Sequence, residues 1–309
     1  MSTQHNKLST IEYEVTNYIK RLDPSLFIIN NDRKQIYPYE LDIYLPELRI
    51  GIECNPTYTH NSSINMLDTD KDPVPRNYHK HKSDECMYKG ISLIHVFSYD
   101  WNHRANKIKS IIAKAIGVPR TVIYANSCCI KKISYNSCKR FLIRNHIKGP
   151  SNSNIHYGLY YEDKLVSVML FRKDKHSTSD DHFYEIVRYA DKLFVDVVGG
   201  FDRFLDTFIA EYCPVRIRAI QNRTYESDVN FMRFGFYRLE NIDPKYMWVD
   251  IKTDTPYLSI CAKKSTIHEF LSDNTIDTKS HSEKVIMESH GYVRVYDAGY
   301  VLWEYLKRR

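Results

Sequence analysis

The segment PYELDIYLPELRIGIEC, residues 38–54, decides the fold of the N-terminal part of the chain. Two short runs rich in apolar residues, 41–45 and 49–53, flank the turn residues Pro46 and Glu47. Such runs on either side of a turn signal predict a β-hairpin. Outward from the hairpin, apolar residues recur at helical spacing in 9–22, and a second helix is predicted at 78–89. The ISLIHVFSYDW segment, 91–101, is predicted to be a buried strand, and 102–116 a third helix.

The C-terminal part of the chain shows the same mixture of strands and helices. A strand pair is predicted to turn at Glu162 and Asp163, and a helix over 202–212 follows the sequence VVGG, 197–200. Further strand signals surround a predicted helix at 227–236, and the polar segment 272–285 is predicted to be a loop. This interleaving of strands with helices predicts the α/β class.

The length of 309 residues is about twice that of a usual domain of ~150 residues. We therefore predict a first domain at 1–120, a second α/β domain at 121–250 and a C-terminal extension at 251–309. Hydrophobic residues make up 43% and charged residues 27%, which is ordinary globular composition. The net charge of +6 permits nucleic-acid binding through a local patch without requiring it.

The sequence also bears on the compartment. The seven cysteines are odd in number and form no C-x-x-C pair, which favours reduced thiols in a cytoplasmic compartment. No apolar stretch approaches the ~18 residues of a membrane span, and the N-terminus lacks the apolar segment of a secretory signal. We expect a cytoplasmic protein without a membrane partner, and the sequence leaves the oligomeric state open.

Two carboxylates flank the predicted hairpin. Asp42 lies on its first strand and Glu53 at the end of its second, so a short turn brings both to one edge of the sheet. Converging carboxylates suit Mg²⁺, which prefers oxygen ligands and stabilises charge on a phosphodiester. Acidic residues beside a hairpin are also common on solvated surfaces, and the pair alone leaves both interpretations open.

Basic side chains accompany the two carboxylates. His60 follows Glu53 after a short interval, and His79 and Lys82 share one face of the second predicted helix. A lysine beside a metal can hold a phosphate, and a histidine can act as a general acid or base near neutral pH.

These residues also carry a resemblance. Glu12 in the first helix, the hairpin, His60 and the run YHKHKSDECMYKGISLIHVFSYDW, 78–101, closely resemble the nuclease domain of phage homing endonucleases related to the very-short-patch-repair endonuclease. That family is a branch of the PD-(D/E)XK nucleases, and the match covers about 9–101. The resemblance implies Mg²⁺- or Mn²⁺-dependent cleavage of double-stranded DNA. It places Glu12 at the helix position of the active site, Asp42 and Glu53 at the metal, and His60, His79 and Lys82 around the phosphate.

The sequence departs from that family at two points. Asn55 stands where an orthodox member carries a lysine, and the zinc-binding cysteines of the repair enzymes are absent. Lys82 is a candidate for the missing charge. Glu14 is a near-equal candidate for the role given to Glu12.

The C-terminal part resembles GNAT-type acyltransferases. Gly199 and Gly200 before a helix resemble the turn that binds a pyrophosphate in that fold, and Asn230 with Phe234 resembles a later helix and strand. Asp202 replaces an expected small residue. The basic residues Arg216, Arg218, Arg223 and Arg233 are candidates for a DNA-contacting face, or are solvated surface.

Two functions follow as expectations. The first is a metal-dependent homing-type DNA endonuclease, with a GNAT-like domain that helps to choose the site, acting in the cytoplasm of an infected bacterium if the gene is carried by a phage. The alternative is a GNAT-like acyltransferase acting on nucleic acid or protein, with the N-terminal half used for DNA binding.

Overall fold

A computed structural model describes residues 9–63, 72–174, 182–225 and 230–307. Contacts among them divide the chain into two compact units. Unit 1 contains the described residues within Met1–Ala105, Arg223–Tyr225 and Asp243–Gly299, and unit 2 contains those within Asn106–Asn222, Glu226–Ile242 and Tyr300–Arg309. This division has other bounds than the three consecutive ranges predicted from the sequence, because the chain returns to unit 1 at Asp243. As domains, those ranges stay a prediction.

The helices and strands are numbered in chain order. The helices are α1 (Thr10–Leu22), α2 (Tyr78–Tyr88), α3 (Ser98–Ala115), α4 (Tyr135–Asn145), α5 (Gly200–Tyr212), α6 (Ile267–Leu271) and α7 (Glu283–Ser289). The strands are β1 (Ile29–Asp32), β2 (Leu41–Leu45), β3 (Ile50–Asn55), β4 (Ser92–Phe97), β5 (Thr121–Tyr124), β6 (Cys129–Lys132), β7 (Ile155–Tyr161), β8 (Lys164–Lys173), β9 (Phe183–Asp191), β10 (Val195–Val198), β11 (Arg216–Asn222), β12 (Tyr237–Ile242), β13 (Tyr246–Asp250), β14 (Thr255–Leu258), β15 (Tyr292–Tyr296) and β16 (Tyr300–Leu306).

The predicted hairpin forms the centre of the first sheet of unit 1. Its strand order is β1-β2-β3-β4, with β2 and β3 antiparallel and β3 and β4 parallel. Every residue of β3 is buried, including the polar side chains of Glu53 and Asn55. The sheet therefore holds Asp42 and Glu53 on neighbouring strands.

The predicted strand at 91–101 is shorter in the structure. β4 ends at Phe97, and α3 begins at Ser98 with Asp100 in its first turn. An acidic side chain there interacts favourably with the positive end of the helix dipole. The helix begins inside the apolar run, so periodicity alone placed the boundary too late.

A second sheet of unit 1 lies in the segment that returns to it. Its strand order is β14-β13-β15, and the fully buried Trp248 packs with Ala262, Ile267, Ile286 and Met287. The loop predicted at 272–285 ends earlier in the structure, because α7 begins at Glu283. The Ser282 hydroxyl accepts the Val285 N–H there. That serine cap starts the helix inside a polar stretch.

Unit 2 is built on a sheet of seven strands in the order β12-β16-β11-β9-β8-β7-β6. α5 covers one face through Phe204 and Phe208, whose ring stacks on Phe171 at 3.8 Å between centroids. α4 packs on the other face through Cys138 and Leu142. β9 and β11 are parallel and are connected through α5, which is a βαβ arrangement.

In the described part of the helix predicted at 227–236, a short 3₁₀ turn covers Phe231–Phe234 and is begun by Asn230, whose side chain accepts the Arg233 N–H. Residues 226–229 lie outside the described residues. Gly235 follows with φ +79° and ends the turn, because this conformation favours glycine.

None of the helices in the described part of the chain combines the length and the apolar character needed to cross a bilayer.

Candidate functional site

The hairpin brings the two predicted carboxylates of unit 1 together. Ile43 pairs with Ile52 across β2 and β3, so Asp42 and Glu53 occupy the next position of the ladder. The Cys54 N–H donates to Asp42 Oδ2 at 2.7 Å, and the Glu53 side chain is 2% exposed. Two acidic groups thus share a largely buried edge of the sheet.

Burial and the neighbouring carboxylate change the protonation of Asp42. Burial, together with the neighbouring charge of Glu53, raises the pKa of Asp42 from 3.8 to about 8. Burial also raises the pKa of Glu53, although Lys82 acts in the opposite direction. At neutral pH the site therefore disfavours a second negative charge unless a cation is present.

Lys82 supplies one cation to this site. Its ammonium forms a hydrogen-bonded ion pair with Glu53 Oε1, and both side chains are 2% exposed. The charge of Glu53 keeps the pKa of Lys82 above its usual value despite burial. Lys82 reaches the predicted site, and in this arrangement Glu53 holds its ammonium.

The predicted histidines lie next to one another. His60 Nδ1 is 3.2 Å from His79 Nε2, and the two rings stack with centroids 5.5 Å apart. Burial lowers the pKa of His79 to about 3, so this imidazole is neutral at physiological pH. A neutral imidazole can accept or donate one hydrogen bond but does not neutralise an anion.

A third histidine of the cluster was missed by sequence reasoning. His95 lies on β4 opposite Glu53, with its Nε2 2.8 Å from the Ser83 hydroxyl and its Nδ1 3.4 Å from the Asn55 amide. Its ring is 5.4 Å from that of His79. The signal was a histidine inside an otherwise apolar strand, since a buried polar residue needs partners.

The two candidate glutamates of α1 have structural contacts. The Glu12 carboxylate accepts the Ser9 N–H at 3.2 Å and the Ser9 hydroxyl at 2.7 Å, which completes a capping box. Glu14 accepts the Trp101 indole N–H at 2.6 Å. Both glutamates thus have structural partners, and the choice between them as a site residue stays a prediction.

The four predicted DNA-binding arginines are divided between the two units. Arg216 pairs with Asp174 at 2.9 Å and Arg218 with Glu304 at 2.6 Å, both in unit 2. Arg223 belongs to unit 1 and pairs with Asp84 at 2.6 Å. Arg233 lies on the 3₁₀ turn. Three of the four charges are therefore already balanced by carboxylates.

The carboxylate pair fits a divalent cation. Glu53 Oε2 is buried and has no hydrogen-bond partner among the described residues, so an acceptor oxygen points at no donor. Mg²⁺ and Mn²⁺ favour such oxygen ligands and would offset the repulsion that raises the pKa of Asp42. In the part of the chain that the structure describes, no group of three or more His, Cys, Asp or Glu side chains is gathered for a metal.

The glycine pair of unit 2 forms the N-terminus of α5. Gly199 has φ +75°, and a Cβ on Gly200 would lie 3.0 Å from Tyr189 Oη and 3.2 Å from Val197 Cγ1. Both positions therefore require glycine. Among the described residues, no side chain caps this helix of 13 residues, so its first N–H groups are available to an anion.

A crevice opens next to this turn. β9 and β11 pair only from Phe183 with Arg216 to Ile186 with Ala219, although both strands continue further. The register of β8 and β9 shifts at Val187, which marks a bulge where the strands begin to separate. Unpaired main-chain groups in such a crevice can bind an extended ligand.

Three comparisons with known proteins were made. No family model matches the chain, and no curated protein matches it. Solved structures match its C-terminal part, among them a Bacillus subtilis acetyltransferase in complex with CoA, at 12% identity and a TM-score of 0.33, covering 59% of this chain and 99% of that one. The ribosomal-protein-S18-alanine N-acetyltransferase of Escherichia coli matches at 8% identity and a TM-score of 0.33, covering 59% and 95%. A GNAT family acetyltransferase of Elizabethkingia anophelis with acetyl-CoA bound matches at 9% identity and a TM-score of 0.29, covering 59% and 99%.

These matches agree with the GNAT-like part of the predicted fold and correct the predicted enzyme class. The matched proteins are acetyltransferases, which are transferases and not hydrolytic nucleases. The expectation of a Mg²⁺-dependent DNA endonuclease is contradicted by this finding. A nuclease domain of the PD-(D/E)XK type is likewise not shown by them.

The buried pair gives the first prediction. Lys82→Ala leaves the Glu53 carboxylate buried without its cation, and we expect a loss of about 3–5 kcal/mol in the free energy of unfolding. Lys80→Ala is the control on the same helix, since Lys80 pairs with an exposed carboxylate and its loss should cost at most about 1 kcal/mol. Urea denaturation followed by tryptophan fluorescence measures both. Equal stability of the two variants would contradict the role of the pair.

The raised pKa of Asp42 gives the second prediction. The folded state keeps a proton on Asp42 that the unfolded state releases near pH 4, so without divalent cations this carboxyl makes stability fall as pH rises towards 8. Asp42→Asn cannot ionise and should remove this part of the decline, which thermal unfolding across the same pH range measures in EDTA. Parallel pH profiles of the variant and the wild type would disprove the assignment.

Proposed function

We propose that unit 2 binds an acyl-coenzyme A and transfers its acyl group to an amine of a nucleic acid or a protein. The observation that carries this proposal is the crevice between β9 and β11 beside the glycine turn of α5. In open α/β sheets, ligands bind in a crevice beyond the carboxyl ends of the strands. Coenzyme A suits both the glycine turn and the crevice, because it joins a pyrophosphate to an extended arm that contains amides.

The glycine turn suits the pyrophosphate. The first N–H groups of α5 and the positive end of its dipole attract an anion, and the absence of a side chain at Gly199 lets a phosphate approach the backbone. Asp191 and Asp196 are nearby acidic groups of unit 2, and Lys114 pairs with them at 2.7 Å and 3.1 Å. Their repulsion of a phosphate is thereby reduced.

The separated strands suit the acyl-bearing arm. Amides of an extended ligand can pair with the main chain of β9 beyond Ile186 as an added strand would. The bulge at Val187 takes a residue out of the ladder, and a backbone N–H at such a position can stabilise the oxyanion that forms when an amine attacks a thioester. Attack breaks the carbon–sulfur bond and releases coenzyme A as its thiol.

Titration of the full-length protein with coenzyme A in a calorimeter tests the proposal. Gly199→Asp places a carboxylate at the proposed phosphate position, and we expect at least a tenfold weaker affinity, about 1.4 kcal/mol. Gly117→Asp is the matched control, because Gly117 also has a positive φ and open space around its Cα. No binding by the wild type, or equal binding by both variants, would reject the proposal.

We further propose that unit 1 holds Mg²⁺ or Mn²⁺ and binds double-stranded DNA. The support is the donor set: Asp42 and Glu53 would hold the ion, and Glu53 offers an oxygen that has no partner in the described structure. The ion would supply positive charge to a backbone phosphate beside two carboxylates that otherwise repel it. Its proximity would also favour the ionised form of Asp42.

Mg²⁺ added to the full-length protein should raise its melting temperature, and EDTA should reverse the rise, because an ion bound only by the folded state stabilises it by mass action. We expect Asp42→Asn to lose the effect. Glu47→Gln, at an exposed position of the hairpin turn, should retain it. A rise of the same size in Asp42→Asn would place the ion elsewhere.

A further inference from the structure

A second site lies in the returning segment of unit 1, away from the carboxylate pair in sequence and fold. A cavity of about 670 Å³ is lined by β13, the 3₁₀ turn Ser259–Ala262, the loop after it and the start of α7. Its size falls within the range of about 300–1,000 Å³ that is usual for ligand sites. Beneath it lies the buried cluster around Trp248, so the cavity has a packed base.

One wall of the cavity is rich in donors to an anion. Lys263 and Lys264 are exposed, and Ser259 and Ser265 add hydroxyl groups. Within the described ranges, no carboxylate forms an ion pair with either lysine. The carboxylate of the lining residue Glu283 accepts the main-chain N–H of Lys264 at 3.1 Å and so holds the loop in place. Because this bond is to the main chain, the ammonium groups of Lys263 and Lys264 stay available to a ligand.

The backbone of this wall is fixed before any ligand binds. The Thr266 hydroxyl lies 3.1 Å from the Cys261 carbonyl oxygen and 3.2 Å from that of Lys263. The N–H groups of Thr266 and Ile267 both donate to the Lys263 carbonyl at 2.8 Å. Ordering the loop therefore costs little on binding, which favours affinity.

The lining of the cavity also has an aromatic and apolar part. Tyr246 lines it, and the Arg294 guanidinium lies 4.7 Å from the centre of the Tyr246 ring and equally far from that of Trp248. Tyr296 packs against Tyr246 at 5.5 Å. The ring is therefore held in place, and Ile260, which is 57% exposed, adds apolar surface. A flat aromatic group can stack there.

We propose that this cavity binds a nucleotide unit, with the phosphate on Lys263 and Lys264 and the base against Tyr246 and Ile260. Phosphate is the anion that paired ammonium and hydroxyl donors favour, and base stacking on tyrosine tolerates any base. The unit can be free or part of a single strand. A duplex presents its phosphates but keeps its bases stacked inside.

Fluorescence anisotropy with a labelled single-stranded oligonucleotide and calorimetry with adenosine monophosphate test the proposal on the full-length protein. The double variant Lys263→Ala, Lys264→Ala should bind the oligonucleotide or the monophosphate at least tenfold more weakly. Its affinity for the oligonucleotide should also depend less on salt, by about two released counterions. Lys252→Ala, an exposed lysine outside the cavity, is the control and should change neither. Binding of the monophosphate identifies a free nucleotide as a ligand, and binding of the oligonucleotide alone identifies a single strand.

The aromatic contact is tested separately. Tyr246→Ala should weaken binding about tenfold, whereas Tyr246→Phe keeps the ring and should restore it. Circular dichroism of each variant shows whether the fold is intact, and the Phe variant keeps the test decisive if the Ala variant unfolds. No binding of either ligand, or an unchanged affinity in the double lysine variant, would each overturn the proposal.

Discussion

Unit 1 depends on the buried ion pair between Lys82 and Glu53. The pair joins α2 to β3, and neither side chain has access to bulk water to replace its partner. Removing one charge from such a pair costs more than the pair contributes, because the remaining charge stays desolvated. The position of α2 over the sheet is thus coupled to the charge of Glu53. His79 and Ser83 are on the same helix and are positioned with Lys82.

In unit 2, the position of α5 depends on a close contact between the main chain at its start and the neighbouring strands. A Cβ on Gly200 would lie 3.0 Å from Tyr189 Oη and 3.2 Å from Val197 Cγ1, so glycine lets the start of α5 lie close to β9 and β10. The aromatic core of Phe171, Phe204 and Phe208 then fixes the helix along the sheet. The crevice begins where the pairing of β9 with β11 ends, after Ile186 and Ala219.

Local sequence predicted the features that local geometry determines. The hairpin and the meeting of Asp42 with Glu53 follow from alternation and a short turn, and the structure has both. The ion pair of Lys82 with Glu53 depends on how α2 packs on the sheet, and no local sequence pattern predicts that packing. The ion pairs of Arg216 and Arg218 were not predictable for the same reason, because the carboxylates of Asp174 and Glu304 approach them only in the folded sheet. The segment Asp243–Gly299 returns to unit 1 without a compositional signal.

The two oxygens of Glu53 give the pair and a metal ion separate partners. Lys82 binds Oε1, and Oε2 is the oxygen without a partner in the described structure. A divalent cation on Oε2 and Asp42 therefore need not displace the ammonium that stabilises the fold. The ion would still compete electrostatically with Lys82, since like charges near one carboxylate repel. Ionisation of Asp42 would offset that repulsion, which would link its raised pKa to the binding of a cation at this site.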